Sequence, residues 1–283
     1  MGLLHLCMTR SNVDRNDPTI TIVTVSLNAV AHIDQTIKSL LINEYPKVEL
    51  ILIDGGSTDG TINIINTYKT FFHAVISEQD GGISDAFNKG IRNATGDIIG
   101  LVSADDYLLP GALEAVAECF LVNDRPDVIH GNVVYLDMES GKKSVSRPDV
   151  SLKSAFVGQP VKHGATFVAR AAYEKYGVFD TRYKCAMDYD LILRMIVRGA
   201  RFVYIDQELE VLRTGGISQR RRELTRRESR EISIRHGCSP LKANAYYHWK
   251  VAKDVAKSVL KKTRGTRLLE FYRKLRGRNV LVP

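Results

Sequence analysis

Between Thr19 and Asp106 the chain switches repeatedly between β-branched apolar runs and segments whose apolar positions recur at helical spacing. The run Thr19-Ile20-Thr21-Ile22-Val23-Thr24-Val25-Ser26 has the composition of a strand covered on both faces. Ile33, Ile37, Leu40 and Leu41 then fall at i, i+4, i+7 and i+8, the stripe of an amphipathic helix. Val48 to Ile53 predicts a second strand stopping at Asp54, followed by the turn Gly55-Gly56-Ser57-Thr58-Asp59-Gly60 and a helix from Thr61 to Tyr68. His73 to Ser77 reads as a third strand, Ser84 to Asn93 as a helix, and Asp97 to Val102 as a fourth strand running into Ser103-Ala104-Asp105-Asp106. Strands alternating with helices predict an open, mostly parallel α/β sheet of Rossmann-like type, with helices on both faces and right-handed crossovers.

Ligands of such sheets bind beyond the carboxyl ends of the strands. Asp54, Asp80 and Asp105/Asp106 follow strands two, three and four, so three strand ends aim carboxylates at one rim. After Pro110 the pattern is mixed. A helix is expected from Gly111 to Val122, strands around Val128–Leu136, an apolar segment within 160–170 and a helix from Tyr183 to Arg198 entered through Asp188. Short strands are expected at Phe202–Ile205 and Leu209–Leu212.

Charge divides the 283 residues sharply. Residues 1–219 hold 21 Lys and Arg against 27 Asp and Glu, whereas the last 64 residues hold 19 against 5. A uniformly basic nucleic-acid-binding domain has no such division. The basic segment also lacks interleaved aromatics for base stacking around Arg220–Arg235, and nucleic acid is not an expected partner. No run approaches the ~18 apolar residues of a spanning helix. The four cysteines lie far apart without a CxxC pair, as expected for reduced thiols in a cytosolic protein.

Adjacent carboxylates at Asp105-Asp106 suit a hard divalent cation, Mn2+ or Mg2+, that also grips a diphosphate; they equally suit a turn that caps the next helix. Asp54 can accept a hydrogen bond from a base or ribose, or serve the turn that follows it. Neither GxGxxG nor a P-loop is present. Two residues apart on a helix, Asp188 and Asp190 point about 200° apart, so one of them can face a given site. Asp190 has Arg194 four residues on, the spacing of a surface ion pair. Asp188 can be a helix cap or a general base.

Taken in order, Thr24-Val25-Ser26-Leu27-Asn28, Ile53-Asp54-Gly55-Gly56-Ser57-Thr58-Asp59-Gly60-Thr61, Asp80 to Gly90, Ala94-Thr95-Gly96-Asp97 and Ser103-Ala104-Asp105-Asp106 resemble the donor half of the inverting family 2 glycosyltransferases with the GT-A fold. His163 to Phe167, Gly177 to Asp180, Met187-Asp188 and Arg213 to Ser218 are similar to the acceptor half. Ser103 stands for the first acid of a strict DxD, and Met187 for the Glu of Glu-Asp. The Gln-x-x-Arg-Trp motif of processive synthases is missing, since Gln219 to Arg222 contains no Trp. Transfer of a single sugar is therefore expected.

The resemblance implies that Ser26, Asn28, Asp54 and Asp80 hold the nucleoside of a nucleotide-sugar donor, UDP-linked by preference, with Lys89 near that pocket. Asp105 would touch ribose or sugar, Asp106 would ligate Mn2+ or Mg2+, and Asp188 would act as the base, giving inversion. Arg213 on the donor and His163 on the acceptor side complete the set. A nucleotidyltransferase on the same architecture is the alternative enzyme, but no basic Gly-rich loop follows the first strand. The resemblance further implies a glycan or lipid-linked acceptor in bacterial surface-polysaccharide biosynthesis.

The expected organisation is a lead-in (1–18), a donor half (19–106), an acceptor and base half (107–219) and a basic helical tail (220–283). In the tail Val251, Val255 and Val259 form an i+4 stripe among Lys250, Lys253, Lys257, Lys261 and Lys262, and a second segment interleaves Leu268, Leu269, Phe271, Tyr272 and Leu275 with arginines. Such faces suit either an anionic membrane surface, contacted peripherally at the inner face of the cell membrane through residues 241–283, or packing on the catalytic body.

Overall fold

The computed structural model describes residues 17–152, 154–216 and 221–262, with side chains described through residue 256. The lead-in up to residue 16, Ile217 and Ser218 of the closing loop, and the second tail segment lie outside the described residues, as do the side chains of Lys257, Val259, Lys261 and Lys262.

The first half matches the alternation in the sequence. β1 (Ile20–Ser26), β2 (Val48–Asp54), β3 (Ala74–Ser77) and β4 (Ile98–Ser103) are interleaved with α1 (Ile33–Ile42), α2 (Thr61–Thr67) and α3 (Ile83–Asn93). The four strands pair in parallel in the order β3-β2-β1-β4. β1 is buried along its whole length. Its two faces feed separate cores: Ile20 and Ile22 pack with α1 residues Ile33, Ile37 and Leu40, while Val23 and Val25 pack with Phe87 and Ile91 of α3. Each such fully buried Ile, Leu or Val contributes about 1.5–3 kcal/mol, so the alternation anchors the strand from both sides.

Beyond β4 the sheet is mixed. β5 (Tyr107–Leu108), α4 (Ala112–Val122), β6 (Val128–Leu136), β7 (Lys143–Ser146), β8 (Thr166–Ala169), α5 (Arg170–Tyr176), α6 (Met187–Val197) and β9 (Phe202–Arg213) extend the order to β8-β6-β9-β5, with β7 branching from β6. β8 runs antiparallel to β4 and β6, whereas β6 and β9 are parallel. The parallel arrangement expected from the sequence thus describes the first four strands, and the second half adds antiparallel neighbours. β9 is one twelve-residue strand where two short ones are expected. It continues through the polar stretch because it pairs with β6, with register shifts between His130 and Val133 absorbing the irregularity.

Two further helices complete the described chain, α7 (Arg222–Arg235) and α8 (Pro240–Lys262). They cross-link through Arg226 to Asp254 at 2.6 Å and Tyr247 Oη to Glu223 at 2.7 Å. Ile232 of α7 sits in the same core as α6. Ala243 of α8 is buried, but Val255 is 57% exposed. Val255, the middle member of the expected stripe, therefore does not pack inward.

Candidate functional site

An open cleft runs across the carboxyl ends of β1 and β4 and continues between the β7–β8 loop, the start of α6 and the inner face of α8. Ser26, Asn28, Asp80, Asp105, Asp106, His163, Asp188 and Arg213 all line it. Residues separated by up to 187 positions thus meet on one surface.

At the β1–β2 end, Ser26 donates to Asp54 Oδ1 at 2.9 Å. Asn28 adopts φ 49° and accepts the Thr58 N–H at 2.9 Å, which ties the loop after β1 to the loop after β2. Asp54 is fully buried and does not line the cleft. Burial works against its charge, yet hydrogen bonds from Ser57, Ser77 and Ser26 hold its carboxyl below the usual range. The turn-forming alternative for Asp54 is the geometry observed. Lys89 also stands off the cleft lining, paired with Glu78 at 2.7 Å and Asp85 at 3.6 Å. Asp80 accepts the Gly82 N–H at 2.8 Å just before α3.

Asp105 and Asp106 do not cap a helix. The next one, α4, begins after Gly111 with no side-chain cap. Asp106 Oδ1 instead accepts the Arg213 N–H at 2.9 Å from the end of β9. The Arg213 guanidinium donates to the Asp105 carbonyl and to Gln35 Oε1, and its Cζ lies 5.1 Å from the Tyr107 ring centroid. Burial and the neighbouring Asp105 push the Asp106 carboxyl up to about 7. Beneath the pair lies Glu210, wholly buried, with neither carboxylate oxygen hydrogen-bonded among the described residues. Burial, then the charges of Asp106 and Asp105, raise Glu210 well above the ordinary range. Gly164 packs directly against this carboxyl, where a Cβ would clash. Sequence reading missed Glu210, whose only sign was an acid within the apolar run Leu209–Leu212.

This donor set fits a hard cation. Two adjacent carboxyl groups at one strand end, with the oxygens of a buried third carboxyl beneath them free of hydrogen bonds among the described residues, are the oxygen donors that Mn2+ or Mg2+ takes. Among the described residues no group of three or more His, Cys, Asp or Glu could hold a metal ion, so the remaining ligands would come from a diphosphate and water.

Also lining the cleft, Asp188 lies in the first turn of α6. Its Oδ1 accepts the Tyr189 N–H at 2.8 Å and its Oδ2 accepts Gln159 Nε2 at 2.6 Å. The residue capping α6 is Ala186, so Asp188 is not the cap. Glu228 of α7 orients this helix start: its carboxylate accepts the N–H groups of Lys184, Cys185 and Ala186, each at 2.8 Å. Gln159 and Glu228 carry no local motif, and the fold alone identifies them. His163 packs 5.0 Å from the Phe87 ring and 5.9 Å from that of Phe179, with Nε2 unbonded among the described residues. Burial lowers its pKa, against the opposing pull of the Asp188 charge.

Asp190 corrects the expectation of a surface ion pair. Its side chain is 3% exposed, 3.3 Å from Arg194 and 2.9 Å from His236 Nε2. α7 covers this face of α6, which converts an i,i+4 surface pairing into a buried one.

Known proteins resemble this chain in sequence and in fold. Residues 21–187, more than half of the chain, match the family model described as Glycosyl transferase family 2. An uncharacterized glycosyltransferase of Mycobacterium tuberculosis is 32% identical over 181 residues, covering 62% of this chain and 68% of that one. A PGL/p-HBAD biosynthesis glycosyltransferase of Mycobacterium bovis is 27% identical over 184 residues, covering 62% and 69%. Among solved structures, TarS residues 1–349 of S. aureus in complex with UDP superposes with a TM-score of 0.61 at 16% identity, covering 81% of this chain and 69% of that one. The mannosyltransferase PcManGT of Pyrobaculum calidifontis, solved with GDP-Man and Mn2+, superposes with a TM-score of 0.63 at 20% identity, covering 92% and 81%. The two solved structures share the mixed α/β fold of the GT-A type. With a family model spanning more than half of the chain, from β1 to the start of α6, the chain belongs to glycosyltransferase family 2.

Proposed function

We propose that the protein moves one sugar from a nucleotide-sugar donor, a UDP-sugar by preference, to a hydroxyl of a glycan or lipid-linked acceptor, with inversion. The observation that carries this reading is the placement of Asp188 and the Asp105/Asp106 pair along one cleft, with Ser26, Asn28 and Asp80 at its β1 end. The nucleoside lies against Ser26, Asn28 and Asp80, while Asp54 acts from below by clamping Ser26, Ser57 and Ser77. Asp105 faces the ribose and sugar. Asp106 would hold Mn2+ or Mg2+, a cation that offsets charge on a departing diphosphate. Arg213 fixes the Asp105–Asp106 backbone and Asp106 carboxylate, which keeps the donor end preorganised.

Asp188, oriented by Gln159, takes the proton of the acceptor hydroxyl as that oxygen attacks the anomeric carbon from the side opposite the leaving nucleotide. His163, neutral beside it, completes the acceptor wall. Peripheral contact with an anionic membrane, at the inner face of the cell membrane, is part of the same reading. The exposed Ala252, Val255 and Ala256 on the outer side of α8 support it. No helix of the described residues is long and apolar enough to cross a membrane.

A thermal-shift titration with UDP plus Mn2+, run beside single-stranded DNA at two salt concentrations, tests the donor assignment. Stabilisation by UDP and Mn2+ alone is expected. Stabilisation by DNA with none by UDP would sink it. A panel of nucleotide sugars screened for hydrolysis and transfer then identifies the donor.

A further inference from the structure

The inner face of α8 closes the Asp188 end of the cleft with chemistry that the transfer itself does not use. Tyr246 and Trp249 stack with ring centroids 5.5 Å apart and planes at 25°. Lys250 Nζ lies 4.9 Å from the centre of the Tyr246 ring, and Lys253 Nζ lies 5.1 Å from that of Trp249. These four residues and Lys162 all line the cleft.

Two acids of α7 and α8 are engaged by other groups. Arg226 takes Asp254 at 2.6 Å and Glu223 at 3.1 Å, and Glu223 also accepts from Tyr247. Lys250 is half-buried and forms no ion pair among the described residues. Burial and the like charges of Lys162 and Lys253 hold its ammonium below the ordinary range, with Asp254 opposing. Cations gathered on one half-buried wall repel one another, and an anion placed among them relieves that repulsion. The aromatic pair beneath them offers an apolar platform, 46% exposed at Trp249.

The platform also adjoins the base. A Cβ at Gly158 would lie 3.1 Å from Tyr246 Oη, and the next residue, Gln159, is the one that holds Asp188. Glycine here lets the tyrosine rest on the backbone of the segment that orients the base.

We propose that Lys162, Lys250 and Lys253, with the Tyr246–Trp249 stack, form a subsite for a phosphate or diphosphate carried by the acceptor. The acceptor assignment rests on the reading of Asp188 as the base. The anion site itself rests on α8. The lysines take the phosphate oxygens through charge-assisted hydrogen bonds, and the rings cover the apolar face of the group beside it.

Trp249 is the chain's single tryptophan, so its fluorescence reports on this wall alone. The full chain is titrated with inorganic pyrophosphate, geranyl diphosphate, and phosphatidylglycerol vesicles. Both soluble probes are expected to change the emission saturably, in the wild type and in Asp106→Ala, whose donor end is disabled. Lys250→Gln combined with Lys253→Gln should weaken both by about tenfold or more, as loss of charge-assisted contacts requires. The same double variant should keep its thermal shift with UDP and Mn2+, which separates a lost subsite from a lost fold. Tighter binding of geranyl diphosphate would assign a lipid-borne phosphate and equal binding a phosphate on any carrier; both support the subsite. The proposal is overturned if the double variant titrates like the wild type, if Asp106→Ala abolishes the response, or if only vesicles elicit it. Soluble-probe binding in a protein that ignores UDP would instead leave the anion site standing and remove the sugar-transfer reading.

Discussion

Asp188 and Asp190 sit two residues apart on α6 in opposite surroundings, so neutralising each in turn separates chemistry from stability. Asp190→Asn removes the charge from a side chain 3% exposed and leaves Arg194, itself 17% exposed, with the Val178 carbonyl at 2.7 Å. Removing one member of a buried pair costs about 3–5 kcal/mol, since the other charge stays behind uncompensated. Two features place this case near the lower end. Arg194 reaches some solvent, and an amide oxygen can still meet His236. With about 3 kcal/mol lost, and about 2–4 °C per kcal/mol for a chain near this size, the unfolding midpoint falls by roughly 6–12 °C. Thermal unfolding read by circular dichroism measures this, alongside donor turnover well below either transition. Asp188→Asn should hold its midpoint within about 2 °C, because half-exposed polar changes are nearly neutral. Its turnover should drop about 10²–10⁴-fold, the usual worth of a general base. A midpoint for Asp190→Asn indistinguishable from wild type would refute the buried-pair energetics. A larger loss of turnover in Asp190→Asn than in Asp188→Asn would exchange the two roles.

Asp106→Ala should abolish transfer and weaken metal-dependent UDP binding while the fold persists; unchanged turnover in this variant, or with EDTA present, removes the metal role. Because burial and Asp105 raise the Asp106 carboxyl to about 7, it is protonated in acid and a cation must displace that proton. Calorimetric affinity for UDP with Mn2+ should therefore climb from pH 6 to pH 8 and then level off, and a flat profile would contradict the assignment. Glu210 has its proton affinity raised in the fold, so its contribution is fully favourable below the ordinary carboxylate range and is lost as pH rises through the folded value. Glu210→Gln should raise the midpoint of the metal-free protein at pH 8 and flatten its decline with pH, since each tenfold in proton affinity is worth about 1.4 kcal/mol; a lower midpoint at pH 8 would show that the carboxylate is stabilised by a partner.

The first four strands and the helices between them were readable from sequence because their determinants are local. A strand covered on both faces needs β-branched residues throughout, as in Thr19 to Val25, and each helix between strands shows its apolar stripe. The strand-end acids follow directly, since parallel strands joined by right-handed crossovers bring their carboxyl ends to one rim. The opposition of Asp188 and Asp190 was also legible, as it depends only on helical periodicity. What each of the two faced was not, because that depends on α7 covering one side of α6, a contact made some forty residues later in the chain. The same holds for Asp54, which has the right place at a strand end but is sealed beneath Ser26, Ser57 and Ser77. Glu210 looked like an ordinary acid in a short strand until β9 paired with β6 and carried it under Asp105 and Asp106. In α8 the valine stripe was the strongest periodic signal, yet Val255 is exposed and Tyr246, Trp249 and Lys250 line the cleft. Cross-links from Arg226 and Glu223 set the rotation of the helix, and no pattern within α8 encodes them. Periodicity determines which residues share a face; only the packing of distant elements decides what that face meets.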